Sequence, residues 1–274
     1  MDRNHRAVAD TGLLVAAVRA RESARPDRLF DDPFAQRLAG ERGREMLAAA
    51  LAGAGEQSTA QIVVRTRFWD RALLAAAAAD AHQVVILAAG MDARAYRLGW
   101  PDGTTVYELD QSAVIEAKDE VLAGEAPRCR RSAIGVDLAD DWPAALLASG
   151  FDPATPSVWL MEGLLQYLAE PAVEVLFDRV DALSAAGSVL LYEVVGAVLL
   201  QSPEMAGLLA SMAESGSPWL FGTDDPGTLA ESRGWSATVT DIAAPGNAYG
   251  RWFAPAVPLD VADVPRGYFI RAVK

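Results

Sequence analysis

The pattern of apolar and polar positions changes near residue 80 of this 274-residue chain. The first eighty residues lack the alternation that is typical of strands and carry several helix signals instead. We therefore predict a helical N-terminal cap. Its expected features are a cap at Thr11 for a helix through Arg21, a helix start at Asp31, Asp32 and Pro33, and a helix over Thr66 to Ala79.

From Gln83 onward, short apolar runs alternate with helix-compatible segments. This pattern is typical of an α/β protein with a mostly parallel sheet that helices cover on both faces. The Gly, Pro and Asp content of Gly150 to Pro156 and of Ser215 to Gly227 predicts loops. We expect seven strands, at residues 83–88, 104–109, 130–136, 157–161, 188–194, 235–241 and 267–273.

The stretch from Val84 to Asp110 carries the first functional signal. A β-branched apolar run stops at the small-residue turn Ala88-Ala89-Gly90, and a second apolar run ends at Asp110. Adjacent parallel strands joined in this way form a mononucleotide-binding unit whose ligand lies outside the carboxyl ends of the strands. Asp110 could then accept hydrogen bonds from a ribose. The alternative is that residues 88–90 are only a close-packed strand-to-helix turn.

The composition of this turn separates two classes of nucleotide cofactor. A dinucleotide site usually shows G-x-G-x-x-G, with the pyrophosphate at the helix N-terminus. Here residues 88–93 read A-A-G-M-D-A, and Asp92, in the predicted first helical turn, would repel a pyrophosphate. A nucleoside without phosphates is favoured. S-adenosylmethionine fits, because its ribose suits Asp110 and its charged amino acid and sulfonium groups suit charged partners.

Five further motifs occur in a fixed order: RTRFWD (65–70), LAAGMDARAYRL (87–98), YELDQ (107–111), VDLADDW (136–142) and MEGLLQYL (161–168). Together with RLFDDPFAQRL (28–38), they resemble the leucine carboxyl methyltransferase-like family, which includes bacterial polyketide-tailoring O-methyltransferases. The resemblance implies a Rossmann-like class I methyltransferase fold that uses S-adenosyl-L-methionine and releases S-adenosyl-L-homocysteine. We expect one domain over 1–274, with the cap at 1–80, a cofactor-binding core at 81–195 and a substrate-pocket region at 196–274.

The resemblance also implies which residues contact the cofactor. They are Arg65, Ala88, Ala89, Gly90, Asp110, Gln111, Asp137, Leu138, Glu162 and Gly163. Arg65 would hold the methionyl carboxylate, whereas Arg67 should face another side of its helix. A second basic residue from the N-terminal segment contacts this carboxylate in the family, and Arg19 and Arg21 are the alternatives here.

Asp137 and Glu162 each follow a predicted strand, and each has a second interpretation. Asp137 could meet the adenine amino group, with Leu138 packed on the ring, or could cap a helix over residues 138–147. Glu162 could attract the cationic sulfonium, or could only stabilise the N-terminus of a helix that starts near Gly163. Given the resemblance, we favour cofactor contact for both and predict that Glu162 is the catalytic residue.

The scarcity of histidine favours a carboxylate as the methyl acceptor. A carboxylate with a pKa of about 4 is ionised at neutral pH, whereas a phenol with a pKa of about 10 usually needs a general base. The chain has only two histidines. His82 precedes the first strand, away from the cleft, and His5 lies in a segment that could fold over the site or be disordered. The alternatives are a hydroxyl acceptor activated by Asp or Glu and a non-catalytic S-adenosylmethionine-binding protein.

Aromatic residues between 196 and 256 are predicted to form the pocket for a small-molecule acceptor, in our interpretation an aromatic polyketide intermediate. We assign Trp219 and Phe221, in a Gly/Pro-rich loop, and Trp252 and Phe253 to this pocket. The alternative is that such residues fill the core, which we favour for Trp235 at a strand start.

Charge and cysteine content exclude several other functions. A net charge of -13 argues against nucleic acid or an anionic membrane as a partner, because their phosphates would be repelled. A single cysteine, Cys129, excludes an intrachain disulfide, and without H-x-x-H or H-E-x-x-H we expect no metal. No apolar run reaches about 18 residues, and the first residues lack a signal-peptide core. We therefore expect a cytoplasmic enzyme.

Overall fold

The computed structural model describes residues 3–79 and 81–274, without the side chains of 3–10 (His5 among them), 54 and 204. Three helices come first: α1 (Arg3–Ser23), α2 (Ala35–Ala54) and α3 (Gln57–Ala77). The strands are β1 (Gln83–Leu87), β2 (Thr105–Asp110), β3 (Arg130–Gly135), β4 (Ser157–Met161), β5 (Val189–Val195), β6 (Ser236–Asp241) and β7 (Gly267–Val273). The other helices are α4 (Arg94–Arg97), α5 (Ser112–Val121), α6 (Trp142–Ala148), α7 (Glu170–Ala182), α8 (Ala197–Gln201), α9 (Pro203–Ser215), α10 (Thr228–Glu231) and α11 (Ala243–Ala248), with a 3-10 helix at Leu165–Tyr167.

The strands of the described chain form one seven-stranded sheet in the order β3-β2-β1-β4-β5-β7-β6. Strands β1 to β5 pair in parallel, and β7 is antiparallel to both β5 and β6. Every strand matches its predicted range to within one residue, because the buried strands read as short continuous apolar runs. The two predicted loops are also confirmed, between α6 and β4 and between α9 and α10.

Two hydrophobic cores lie on opposite faces of the sheet. In β1, Val84 and Ile86 belong to the core beneath α1, α2 and α3, whereas Val85 and Leu87 belong to the other core. This alternation follows from the two-residue period of a strand. We call the core beneath the N-terminal helices the cap-side core, and the other one the far-side core. Polar side chains can therefore lie at the sheet edge between the two cores, where the parallel strands end.

Two predicted helix starts are wrong. Helix α1 begins at Arg3 and runs through Thr11, because residues 3–10 contain neither Gly nor Pro to stop it. Helix α2 begins at Ala35, two residues after Pro33. Asp32 instead closes the turn before this helix, where its side chain accepts a hydrogen bond from Phe34 N at 3.2 Å. None of the described helices is both long and apolar enough to cross a membrane.

A buried ion cluster ties the connection after β1 to the strands beside it. Lys118 on α5 and Glu108 on β2 are both 0% exposed, and Lys118 Nζ lies 2.8 Å from Glu108 Oε2. Arg131 Nε donates to the same oxygen at 2.8 Å, and Lys118 Nζ donates to the carbonyl of Asp92 at 3.2 Å. Removing charges from water is costly unless they are paired. The position of the turn before α4 therefore depends on this cluster.

We predict that Lys118→Met lowers the free energy of unfolding by about 3 to 5 kcal/mol, because Glu108 keeps its charge with one cation fewer. Denaturant unfolding measures the loss. The matched control is Arg21→Met, because Arg21 pairs with Glu56 at 2.5 Å on the surface. An exposed pair contributes less than about 1 kcal/mol. Equal losses in the two variants would contradict the role of the buried cluster.

Candidate functional site

The turn after β1 is held against the end of β2. Ala88 and Gly90 both have positive φ, at 53° and 47°, a conformation that costs energy for alanine. Ala89 N donates to the carbonyl of Leu109 at 3.0 Å, and Gly90 N donates to Asp110 Oδ2 at 2.7 Å. Residues 88–90 and Asp110 are therefore in contact at the carboxyl ends of β1 and β2.

Asp110 also accepts a hydrogen bond from Gln111 N, through Oδ1 at 2.7 Å. Burial raises the pKa of Asp110 and Asp137 acts in the same direction, while the N–H groups of Gly90 and Gln111 oppose the rise. An ionised carboxylate can accept roughly four hydrogen bonds, and the backbone takes two of them here. Asp110 thus retains acceptor capacity for hydroxyl groups of a ligand.

Asp137 lies after β3 and does not cap a helix. Its Oδ1 accepts from Ala139 N at 2.9 Å, whereas α6 starts at Trp142 and is capped by Asp141. The alternative of a cap over residues 138–147 is therefore wrong. Leu138 is half-buried and packs against the far-side core. The two residues follow β3 directly, next to the end of β2 that carries Asp110.

Glu162 bridges two arginines at the end of β4. Its Oε1 lies 3.0 Å from Arg65 Nε on α3, and its Oε2 lies 2.7 Å from Arg94 Nη1 on α4. The helix that starts near Gly163 is only the three-residue 3-10 helix Leu165–Tyr167, and α7 begins at Glu170, so Glu162 does not lie at the N-terminus of an α-helix. The carboxylate instead connects the cap to the turn after β1.

Arg65 lies between two carboxylates. Its Nη1 donates to Glu193 Oε1 at 2.8 Å, and Gly163 N, in a residue with φ of 65°, donates to the same oxygen at 2.7 Å. Burial alone would lower the pKa of Arg65, but the charges of Glu193 and Glu162 outweigh it and raise the pKa. Within the described residues, Nη2 of Arg65 makes no hydrogen bond. This group is available to an anionic ligand.

Three buried residues that we did not predict, Asp70, Arg94 and Arg97, extend the network. Arg94 Nε donates to Asp70 Oδ1 at 2.8 Å and Nη1 donates to Asp92 Oδ2 at 2.5 Å. Arg97 holds the same Asp70 through both oxygens, at 2.6 and 2.7 Å. The spacing of Arg94 and Arg97 was an available signal, because residues three apart share one helix face.

Of the two arginines on α1 that the sequence leaves as alternatives, Arg19 is the buried one. Its Nε donates to Asp32 Oδ2 at 2.8 Å and its Nη2 donates to the carbonyl of Met91 at 2.5 Å, next to Gly90. Arg21 instead pairs with Glu56 on the surface. Arg19 is therefore the one of the two that reaches the turn after β1.

Asp92 is ionised in this turn. Burial acts to raise its pKa, but Arg94, Arg19, Arg97 and Lys118 outweigh burial and lower the pKa to about 2. The predicted position of Asp92 is wrong in one respect, because α4 has only four residues and begins two residues later. Asp92 lies just before it and accepts a hydrogen bond from Arg94 N at 2.6 Å.

Trp219 lies beside the 3-10 helix that follows Glu162 and Gly163. Its ring is 6.5 Å from the ring of Tyr167 at an interplanar angle of 87°, and Leu220 N donates to the carbonyl of Gln166 at 2.6 Å. Two residues on, Phe221 is buried in the far-side core and lines a cavity of about 380 Å³ between α7 and α10.

Trp252 and Phe253 lie elsewhere. Their rings stack at 4.8 Å, and Trp252 packs against the cap-side core, while Phe253 is 56% exposed. The structure therefore does not bring the four predicted pocket aromatics together, because the sheet separates Trp252 from Phe221. The core assignment of Trp235 is confirmed, since it is buried and its indole N–H donates to Asp181 at 2.8 Å.

No group of three His, Cys, Asp or Glu side chains suited to a metal ion occurs in the described part of the chain.

Glu193 in β5 is another residue of this network that the sequence analysis did not predict. The single acid in the apolar run VLLYEVV was an available signal, because buried acids are rare unless they are paired.

Comparisons with known proteins identify the family. The family described as leucine carboxyl methyltransferase matches residues 12–181. A "Putative S-adenosyl-L-methionine-dependent methyltransferase" of Mycobacteroides abscessus is 40% identical over 96% of this chain and 92% of its own length. A relative of the same name from Saccharopolyspora erythraea is 41% identical over 86% of this chain and 87% of its own.

Two solved structures share the fold. A "putative methyltransferase" from Thermobifida fusca has a TM-score of 0.63 at 15% identity, and the match covers 91% of this chain and 94% of that chain. A protein of the duf574 family from Streptomyces avermitilis has a TM-score of 0.65 at 16% identity, covering 92% and 98%. The family match and the 40% identity to a relative of similar length lead to one conclusion: this chain belongs to the leucine carboxyl methyltransferase family and is an S-adenosyl-L-methionine-dependent methyltransferase.

Proposed function

We propose that this enzyme transfers a methyl group to a carboxylate of a small molecule, an aromatic polyketide intermediate being the class we favour, and forms a methyl ester. The observation that carries the proposal is the polar set at one edge of the sheet. Asp110 offers acceptors, Arg65 offers a free guanidinium edge, and Glu162 offers negative charge. This set matches the ribose, carboxylate and cationic groups of S-adenosyl-L-methionine.

The residues would divide the cofactor between them. Asp110 and Gln111 would hold the ribose, and Asp137 and Leu138 the adenine. Arg65, assisted by Arg19, would hold the carboxylate. Glu162 would hold the cationic part, and the backbone of residues 88–90 and of Gly163 would allow close approach. The bound cofactor supplies an electrophilic methyl group on a cationic sulfur.

The chain's own contribution to catalysis is placement. Holding two reactants in line can supply several kcal/mol of the barrier. Glu162 is positioned by ion pairs from both sides, so its charge is fixed before a ligand arrives. A charge fixed in advance needs no reorganisation during the reaction. This is the role in which we propose Glu162 as the catalytic residue.

The turn after β1 argues against the rival class of dinucleotide enzymes. Asp92 is ionised and buried where a dinucleotide would place its pyrophosphate. Its charge would oppose phosphate groups, whereas a nucleoside cofactor brings none. The methyltransferase names of the relatives point in the same direction.

A carboxylate acceptor also suits the acid–base groups at this edge. The carboxylates of Asp70, Asp92, Glu162 and Glu193 are all engaged with arginines. His82 lies just before β1, at the other end of the strands. A carboxylate with a pKa of about 4 arrives ionised and needs no base.

The acceptor class can be tested with matched pairs of aromatic carboxylic acids and phenols. We expect methyl esters from the acids, with kcat/KM constant between about pH 6 and 9 because the acceptor is already ionised. A phenol would instead be methylated faster as the pH rises. Mass spectrometry of products over this pH range is the measurement, and turnover of phenols alone would contradict a carboxylate acceptor.

Asp110→Ala should weaken binding of S-adenosylhomocysteine by roughly 10- to 100-fold, the loss of charge-assisted hydrogen bonds of about 1.5 to 3 kcal/mol. Isothermal titration calorimetry gives the affinity. The control is Asp140→Ala, which removes an exposed carboxylate after β3. Unchanged affinity in Asp110→Ala would remove this residue from the site.

Trp219→Ala should raise KM for the acceptor and leave the affinity for S-adenosylhomocysteine unchanged, because Trp219 packs on Tyr167 after the Glu162 turn. Phe253→Ala is the comparison, since its exposed ring lies at the cap-side core. We expect no change of KM there. The opposite result would move the acceptor pocket to Trp252 and Phe253.

A further inference from the structure

Glu193 is a buried carboxylate at this sheet edge to which the proposed reaction gives no role. It lies in β5, next to β4, one residue beyond the pairing of Tyr192 with Met161. The residue is 3% exposed. Its Oε1 receives Arg65 Nη1 at 2.8 Å and Gly163 N at 2.7 Å. One oxygen thus connects α3, the turn after β4 and β5.

Without a functional role, burying Glu193 in this way would only destabilise the folded state. Glu193 Oε2 is buried and has no hydrogen-bond partner within the residues that the structure describes. Burial raises the pKa of Glu193 and Glu162 acts in the same direction, while Arg65 and Gly163 N oppose the rise. Leaving a buried acceptor unsatisfied costs the folded state free energy. Groups kept at such a cost cluster at functional sites.

The guanidinium of Arg65 is planar, with its donors in fixed directions. Nη1 donates a hydrogen bond to Glu193, whereas Nε lies 3.0 Å from Glu162 Oε1 without a hydrogen bond in the described residues, so the bond to Glu193 sets the rotation of the guanidinium. Nη2 is the remaining donor group. With Glu193 absent, one ion pair at Nε would leave the outer edge of the guanidinium free to turn.

We infer that Glu193 is a positioning residue that holds Arg65 so that Nη2 faces the carboxylate at the amino acid end of the cofactor. The inference rests on the proposed function, in which Arg65 binds that carboxylate. Arg65 carries one positive charge between the charges of Glu162 and Glu193. Glu162 is shared with Arg94, so the two carboxylates are balanced by two arginines, and Nη2 of Arg65 is left for the carboxylate of a ligand.

Two ligands separate this role from a structural one. S-adenosylhomocysteine carries the amino acid end, whereas 5′-methylthioadenosine has the same nucleoside and thioether without it. Glu193→Ala should weaken binding of S-adenosylhomocysteine by about tenfold or more, because Arg65 would no longer be oriented to donate its charge-assisted hydrogen bond to the ligand carboxylate. Affinity for methylthioadenosine should stay the same. Calorimetry with both ligands is the measurement.

Glu193→Gln keeps the shape and an acceptor oxygen, so it covers the case in which the alanine variant does not fold. We expect a smaller loss for S-adenosylhomocysteine, about threefold, because a neutral acceptor forms a weaker bond with the guanidinium. The matched control is Asp241→Asn, which alters another buried carboxylate–arginine pair: Asp241 is the last residue of β6, and its Oδ2 lies 3.0 Å from Arg266 Nη1. The ratio of the two affinities should not change there.

A double-mutant cycle with Arg65→Gln completes the test. If Glu193 acts through Arg65, adding Glu193→Ala to Arg65→Gln causes no further loss of S-adenosylhomocysteine affinity. Additive losses, or equal losses for both ligands, overturn the inference. An Arg65→Gln variant with an unchanged affinity ratio overturns the proposed role of Arg65 itself, which distinguishes that failure from a failure of Glu193.

Discussion

The pairing of buried arginines with carboxylates at the carboxyl edge of the sheet is the constraint on which the rest of this structure depends. A guanidinium away from water is tolerated only with good partners. Arg19 on α1, Arg65 on α3 and Arg94 on α4 therefore have to find carboxylates on other elements. Since these partners are Asp32 in the turn before α2, Glu193 in β5 and Asp70 on α3, docking of the N-terminal helices and assembly of the site occur together.

The strands and the ends that carry Asp110 and Glu162 could be predicted, because apolar runs and small-residue turns are local in the sequence. The ion pairs could not. Arg65 and Glu193 are 128 positions apart, and no periodicity links them. The length of α4 was also beyond prediction: the helix has only four residues, and it begins after Asp92, whose side chain pairs with Arg94.

The positions of the aromatic residues could not be predicted for a different reason. Composition identifies a segment rich in large rings but does not say whether a ring fills a core or lines a pocket, since both environments are apolar. Phe221 and Trp252 stand on opposite faces because β6 lies between them in the chain and both faces of the sheet need covering. Trp219 differs from the other predicted pocket aromatics in its ring contact with Tyr167. These two residues are 52 positions apart in the sequence, so no local pattern could predict the contact.

Strand β7 separates β5 from β6 in the sheet, although it comes last in the chain. Its Phe269 is buried in the cap-side core and its Ile270 in the far-side core. During synthesis, β5 and β6 therefore expose unpaired edges until residues 267–273 have left the ribosome, and long-range pairing of this kind folds slowly. Because β5 also carries Glu193, the binding edge of the sheet is complete only after residues 267–273 have left the ribosome.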